Sequence, residues 1–99
     1  MNARAEFQRL HDRYKGDPEY IAYGMVSDVV DAICACQHAL GLSNRQVAKR
    51  AGRKRKHYKR FLGCHEQVPF VELVRYAKAV GLTLQIDVDA VTPETPRQL

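Results

Sequence analysis

The chain has 99 residues, 45% apolar and 27% charged, with a net charge of +5, which is the make-up of one soluble domain able to bury a core without disulfides or a metal. No apolar run approaches the roughly 20 residues needed to cross a bilayer, and Met1 to Lys15 lacks the apolar stretch of a secretory signal. The three cysteines, Cys34, Cys36 and Cys64, are an odd set, which argues against a disulfide framework and for a reducing cytoplasm.

From the N-terminus, Phe7, Leu10 and Tyr14 recur at helical spacing, so Ala3 to Lys15 reads as a short amphipathic helix. Gly16-Asp17-Pro18-Glu19 then supplies a stop, an N-cap, a first-turn proline and a first-turn acid. A long helix follows, on which Ala22, Val26, Val29, Ile33, Cys36 and Leu40 form one apolar stripe, with Asp28, Asp31 and His38 off it. Gly24 marks a bend, or a break near Ser27, and Gly41 a left-handed end. Ser43 is a natural N-cap for a helix over Asn44 to Ala51 that closes at Gly52. The next helix begins near Lys54 and ends at Gly63, and residues 63–68 read as a loop. Pro69 opens a further helix with Phe70, Leu73, Val74, Ala77 and Val80 on one face and Gly81 as its stop.

After Gly81 the period changes. Leu82, Leu84, Ile86 and Val88 alternate with Thr83, Gln85, Asp87 and Asp89, the pattern of a half-buried strand. A single strand cannot satisfy its own backbone groups, so Thr83, Leu84, Gln85, Ile86, Asp87 and Val88 are expected to pair with a second subunit or a binding protein. Residues 90–99, with Pro93 and Pro96, read as a disordered tail. The expected organisation is an N-terminal helical extension over 1–16, an all-α domain with one C-terminal strand over 17–89, and the tail.

Charge is concentrated in one place. Residues 45–60 hold nine Lys/Arg and no acid, and the remainder holds seven bases against eleven acids. A basic segment on a mildly acidic body is the distribution of a polyanion-binding surface. The segment is also patterned. At about 100° per residue, Arg55, Lys56, Lys59 and Arg60 fall within roughly 140° of arc, with Tyr58, Phe61 and Leu62 opposite. Val47, Ala48 and Ala51 supply the inner face of the preceding helix, and Gly52 sits where the turn requires positive φ. Two short helices joined by a glycine-containing turn predict a helix-turn-helix.

Asn44-Arg45-Gln46-Val47-Ala48-Lys49-Arg50-Ala51-Gly52 followed by Tyr58-Lys59-Arg60-Phe61-Leu62-Gly63 resembles the XRE/Cro (lambda-repressor-like) family. Asp17-Pro18-Glu19-Tyr20 before the long helix, Gly41-Leu42-Ser43, and the run from Leu73 to Ile86 make the wider chain similar to the HigA-type antitoxin branch. The resemblance covers about residues 17–88. Three departures stand out. Arg53 occupies a position where such motifs bury an aliphatic residue, so its side chain snorkels outward or the turn is altered. Phe61-Leu62-Gly63 replaces the family's Leu-Glu-x-Gly ending, and the second helix is far more basic than its counterparts.

The resemblance implies that the second helix enters the major groove while the first lies across the backbone. Arg55, Lys56, Lys59 and Arg60 are then the expected base readers, with guanine favoured by arginine's bidentate geometry. Ser43, Asn44, Arg45, Lys54 and His57 are placed for phosphates. The expected function is a cytoplasmic transcriptional regulator, most simply a repressor, that binds double-stranded DNA as a homodimer on an inverted repeat. An antitoxin that also neutralises a toxin protein is the alternative, and RNA or non-specific nucleic-acid binding a weaker one. No cofactor is expected. Cys34 with His38, four residues apart, and adjacent Cys64 and His65 raise a zinc site, but Cys34-x-Cys36 is not a finger spacing and its two residues point in different directions on a helix, so no metal is expected. Asp28 with Asp31, and Asp87 with Asp89, read as solvated faces rather than catalytic pairs, so no enzymatic activity is expected. Tyr20, Tyr23 and Tyr76 read as boundary residues of the core.

Overall fold

The computed structural model describes residues 3–63 and 67–89. The expected tail, 90–99, lies outside the described residues, as does the centre of the 63–68 loop. Among the described residues the protein is all-α, with α1 (Ala3–Tyr14), α2 (Pro18–Ala39), α3 (Asn44–Ala51), α4 (Arg55–Gly63) and α5 (Phe70–Ala79). No single helix is long and apolar enough to cross a membrane.

The helix ends follow from local chemistry. Asp17 accepts from the Glu19 amide at 3.0 Å and Pro18 takes the first turn of α2, where its missing N–H costs nothing. α2 then runs unbroken to Ala39, so Gly24 neither ends it nor breaks it near Ser27. One interior glycine costs only about 1 kcal/mol, too little to interrupt a helix anchored by a buried stripe. At its end the Gly41 amide donates to His38 O and the Leu42 amide to Gln37 O, both at 3.0 Å. This pair of bonds, with Gly41 at φ 67°, is the Schellman arrangement. The chain turns through 112° between α2 and α3.

The core is drawn from four helices. α2 gives Val30 and Ile33, α3 gives Val47 and Ala48, α4 gives Tyr58 and Phe61, and α5 gives Leu73, Tyr76, Ala77 and Ala79. α3 packs on both α4 and α5, and α2 packs on α5. Tyr76 is central rather than at the boundary, only 1% exposed, with its ring 4.8 Å from Tyr58 and 4.6 Å from Phe61. Its hydroxyl is buried with no hydrogen-bond partner among the described residues, and an unpaired buried hydroxyl costs about 1–3 kcal/mol. Burial of the ring, at about 1.5–3 kcal/mol, and two aromatic contacts at about 0.5–1.5 kcal/mol each outweigh it.

The expected C-terminal strand is not formed. No residue from Leu82 to Asp89 is in a strand, and no strand occurs among the described residues. Thr83, Leu84, Gln85, Ile86, Asp87 and Val88 therefore have no ladder. A strand is held by a neighbour's backbone groups, and an otherwise helical chain offers none. Leu82 and Leu84 instead pack partly against the core, while Ile86 and Val88 are 63% and 87% exposed. Within the single chain the alternation serves to dock two leucines on the core.

α1 stands apart from this core and buries no residue. It meets the start of α2 through His11 Nδ1 and the Tyr20 hydroxyl, 3.2 Å apart, and through the Tyr14 and Tyr20 rings.

Candidate nucleic-acid interface

α3 and α4 are joined by Gly52-Arg53-Lys54, and the geometry of that turn sets the angle at which α4 is presented. Ser43 and Gln46 form a capping box that starts α3: the Gln46 amide donates to Ser43 Oγ at 3.1 Å and the Ser43 amide to Gln46 Oε1 at 2.8 Å. α3 ends in a second Schellman arrangement, with the Gly52 amide on Lys49 O at 3.1 Å and the Arg53 amide on Ala48 O at 2.8 Å. Gly52 has φ 71°, a conformation that costs an L residue roughly 1–2 kcal/mol. Lys54 then leads into α4, its carbonyl accepting from the His57 and Tyr58 amides.

α4 is partitioned. Tyr58 is fully buried and Phe61 nearly so, whereas Arg55, Lys56, Lys59 and Arg60 are all exposed. The partition comes from the sequence period meeting a core on one side only. Of the nine bases between residues 45 and 60, two have internal partners. Arg50 donates to Ala79 O at 3.2 Å, and Arg53 to Glu72 Oε2 at 3.2 Å. Arg45, Lys49, Lys54, Arg55, Lys56, Lys59 and Arg60 make no ion pair with any described residue. No described acid relieves their mutual repulsion, which is the condition of a surface that gains by meeting a polyanion.

The structure keeps Arg55, Lys56 and Lys59 on one exposed face of α4. Arg60 sits at its edge and also borders a cleft of about 390 Å³ between α4 and α5. His57 is half-buried in that cleft beside Arg53, Phe61, Glu72 and Tyr76, turned away from the Arg55 side of the helix. Of the residues expected at phosphates, Arg45 and Lys54 are exposed, and Ser43 is exposed but already engaged in the capping box. Asn44 is half-buried, and its Oδ1 accepts from Gln37 Nε2 at 2.7 Å. Arg53 resolves its own anomaly. Its guanidinium leaves the core and pairs with Glu72, which also holds Arg75 at 3.2 Å.

Two residues escaped the sequence reading. Lys49 lies four residues after Arg45 on the same exposed side of α3, a spacing that was available to find it. Gln37 was hidden, since nothing in the sequence links it to α4. In the structure its amide takes the Tyr58 hydroxyl on Oε1 at 2.7 Å and gives Nε2 to Leu42 O at 3.1 Å and to Asn44. Burial pushes the Tyr58 phenol up to about 12, with Cys34 and Tyr76 adding to the rise; the hydroxyl is therefore a permanent donor at neutral pH.

Cys34 is exposed and Cys36 half-buried, both as free thiols, and Cys64 and His65 lie outside the described residues. Among the described residues no group of three or more His, Cys, Asp or Glu is placed to hold a metal ion. No protein-family model, curated protein or solved structure matches this chain.

Proposed function

We propose that this protein is a sequence-specific DNA-binding regulator of the helix-turn-helix class, with α3 and α4 as the motif and α4 as the recognition helix. The observation that carries the reading is the division of α4: four exposed bases without ion partners among the described residues on one side, two buried aromatics on the other. A helix of this length fits the major groove, about 12 Å wide, and its rigid attachment through Tyr58 and Phe61 gives it one orientation. The resemblance of residues 44–63 to the XRE/Cro family supports the same reading independently of charge.

In this reading Arg55 and Lys56, near the start of α4, reach base edges, and Lys59 and Arg60 follow along the groove. Arg45, Lys49 and Lys54 contact phosphates and set register without reading sequence. Two copies on a two-fold axis would face successive grooves, so the operator is an inverted repeat with half-sites about 10 bp apart or a multiple of that. Such a protein represses transcription by occupying its site.

Selection from a random duplex pool tests this directly. The expected product is a guanine-containing inverted repeat, bound more tightly than random duplex by at least about a thousandfold. A pool that enriches nothing, or an RNA hairpin bound as well as the best duplex, would overturn the reading.

A further inference from the structure

The cleft between α4 and α5 reaches a polar group that the fold leaves unused. Tyr76 is 1% exposed and lines the cleft, and its hydroxyl has no hydrogen-bond partner among the described residues. Burial raises its phenol, Glu72 adds to the rise, and Arg53 and Arg75 oppose it. Those charges act on the oxygen, so it lies on the side where Glu72 and Arg53 form the cleft wall. Glu72 takes both of its arginines on Oε2 and leaves Oε1 open among the described residues. A ligand hydroxyl at this end would accept from Tyr76 and donate to Glu72 Oε1.

The remaining walls set the rest of the ligand. Phe61, Val68 and Pro69 are apolar and suit a ring. Arg60, on the α4 side, has no ion partner among the described residues. Glu72 is neutralised by Arg53 and Arg75, so the uncompensated charge bordering the cleft is positive and calls for an anion. One ordered water, at roughly 30 Å³, would satisfy Tyr76 but leave most of the 390 Å³ and Arg60 unused. That volume falls within the range of small-molecule sites.

We propose that this cleft binds a small hydroxylated aromatic carboxylate, its ring against Phe61 and Pro69, its carboxylate on Arg60 and its hydroxyl between Tyr76 and Glu72. The site shares only Arg60 with the residues assigned to base edges. Its test contains no DNA, so it stands or falls apart from the DNA-binding reading.

Calorimetric titration of the full chain with 4-hydroxyphenylacetate is the test. One-to-one saturable binding is expected, with Kd of about 1 mM or tighter. Phenylacetate lacks the hydroxyl and 4-hydroxyphenylacetamide lacks the charge, so each should bind at least about fivefold more weakly. Tyr76→Phe keeps the ring and removes a hydroxyl that bonds nothing in the chain, so its Tm should be no lower than the wild type's. It should bind 4-hydroxyphenylacetate only as well as phenylacetate, with phenylacetate itself held as before. Arg60→Gln, at an exposed position, should weaken both carboxylates by more than about tenfold and spare the amide. A wild type that saturates with none of the three would leave Tyr76 to a water and overturn the proposal. Equal affinity for all three, or either variant binding like the wild type, would overturn it equally.

Discussion

The Tyr58 hydroxyl on α4 donates to Gln37 Oε1 on α2 at 2.7 Å, and the same amide reaches Asn44 Oδ1 at the start of α3 at 2.7 Å. One side chain thus ties three helices at the point where the basic helix is held. The Tyr58 ring, fully buried, fixes the depth of α4, and the hydroxyl fixes its rotation.

Tyr58→Phe keeps the ring and leaves Gln37 Oε1 without its donor. The expected loss is about 1 kcal/mol, or a fall in Tm of roughly 4–8 °C for a domain of this size. Gln37→Ala should cost more, because it also removes the bonds to Leu42 O and Asn44 Oδ1 and leaves the Tyr58 hydroxyl without its acceptor. Because both changes break the same bond, the double variant should cost clearly less than the sum of the singles. Thermal unfolding of the three variants checks this, and simple additivity would show the bond to be energetically idle.

The same phenol makes stability depend on alkaline pH. Its folded value of about 12 lies above the ordinary tyrosine value of about 10. The folded state therefore holds its proton where the unfolded state releases it. The contribution is complete below about pH 10 and is lost as pH rises from there through about 12. Burial and Glu72 push Tyr76 in the same direction. The urea midpoint should thus fall over this window, and Tyr58→Phe should make the fall shallower without abolishing it. An identical slope in wild type and variant would contradict the assignment.

Most of this arrangement was legible in the sequence because it is written in short-range signals. Asp17-Pro18, Gly41, Ser43 and Gly52 act within a few residues, and each ends or begins a helix where expected. The division of α4 was legible for the same reason, being a property of one helix's period. What failed depends on partners distant in the chain. Alternation from Leu82 to Val88 specifies two faces but not whether a neighbouring strand exists. Tyr76 could not be placed at the core's centre without knowing that α3, α4 and α5 converge on it. Gln37 is 21 residues from Tyr58, beyond any local pattern.

Arg53 and Glu72 tie the α3–α4 turn to α5 through a bond of 3.2 Å, with side chains 34% and 23% exposed. Glu72 is shared with Arg75, so its two partners are not equivalent in consequence. Arg53→Leu restores the aliphatic residue typical of the resembled motif and leaves Glu72 still paired. Its cost should be within about 0.5 kcal/mol. Glu72→Gln strips the charge partner from two arginines at once and should cost more, about 1 kcal/mol, with the difference shrinking at high salt. Urea unfolding at low and high ionic strength measures both; a costlier Arg53→Leu would mean that the pair, not Glu72, anchors the turn.

On the DNA-binding reading, Arg55 and Lys49 should fail in different ways. Arg55 stands near the start of α4 on the exposed face and Lys49 on α3, both without ion partners among the described residues. A bidentate arginine on guanine is worth about 1–3 kcal/mol of discrimination, so Arg55→Ala should flatten preference at one base position while random duplex is bound nearly as before. A phosphate contact carries no such information. Lys49→Ala should therefore weaken selected and random duplexes alike and lower the slope of log K against log salt by about 0.9. Titrations of both variants at several salt concentrations separate the roles. Equal losses on every duplex from Arg55→Ala would move that residue to the phosphates, and an unchanged salt slope in Lys49→Ala would take α3 off the DNA.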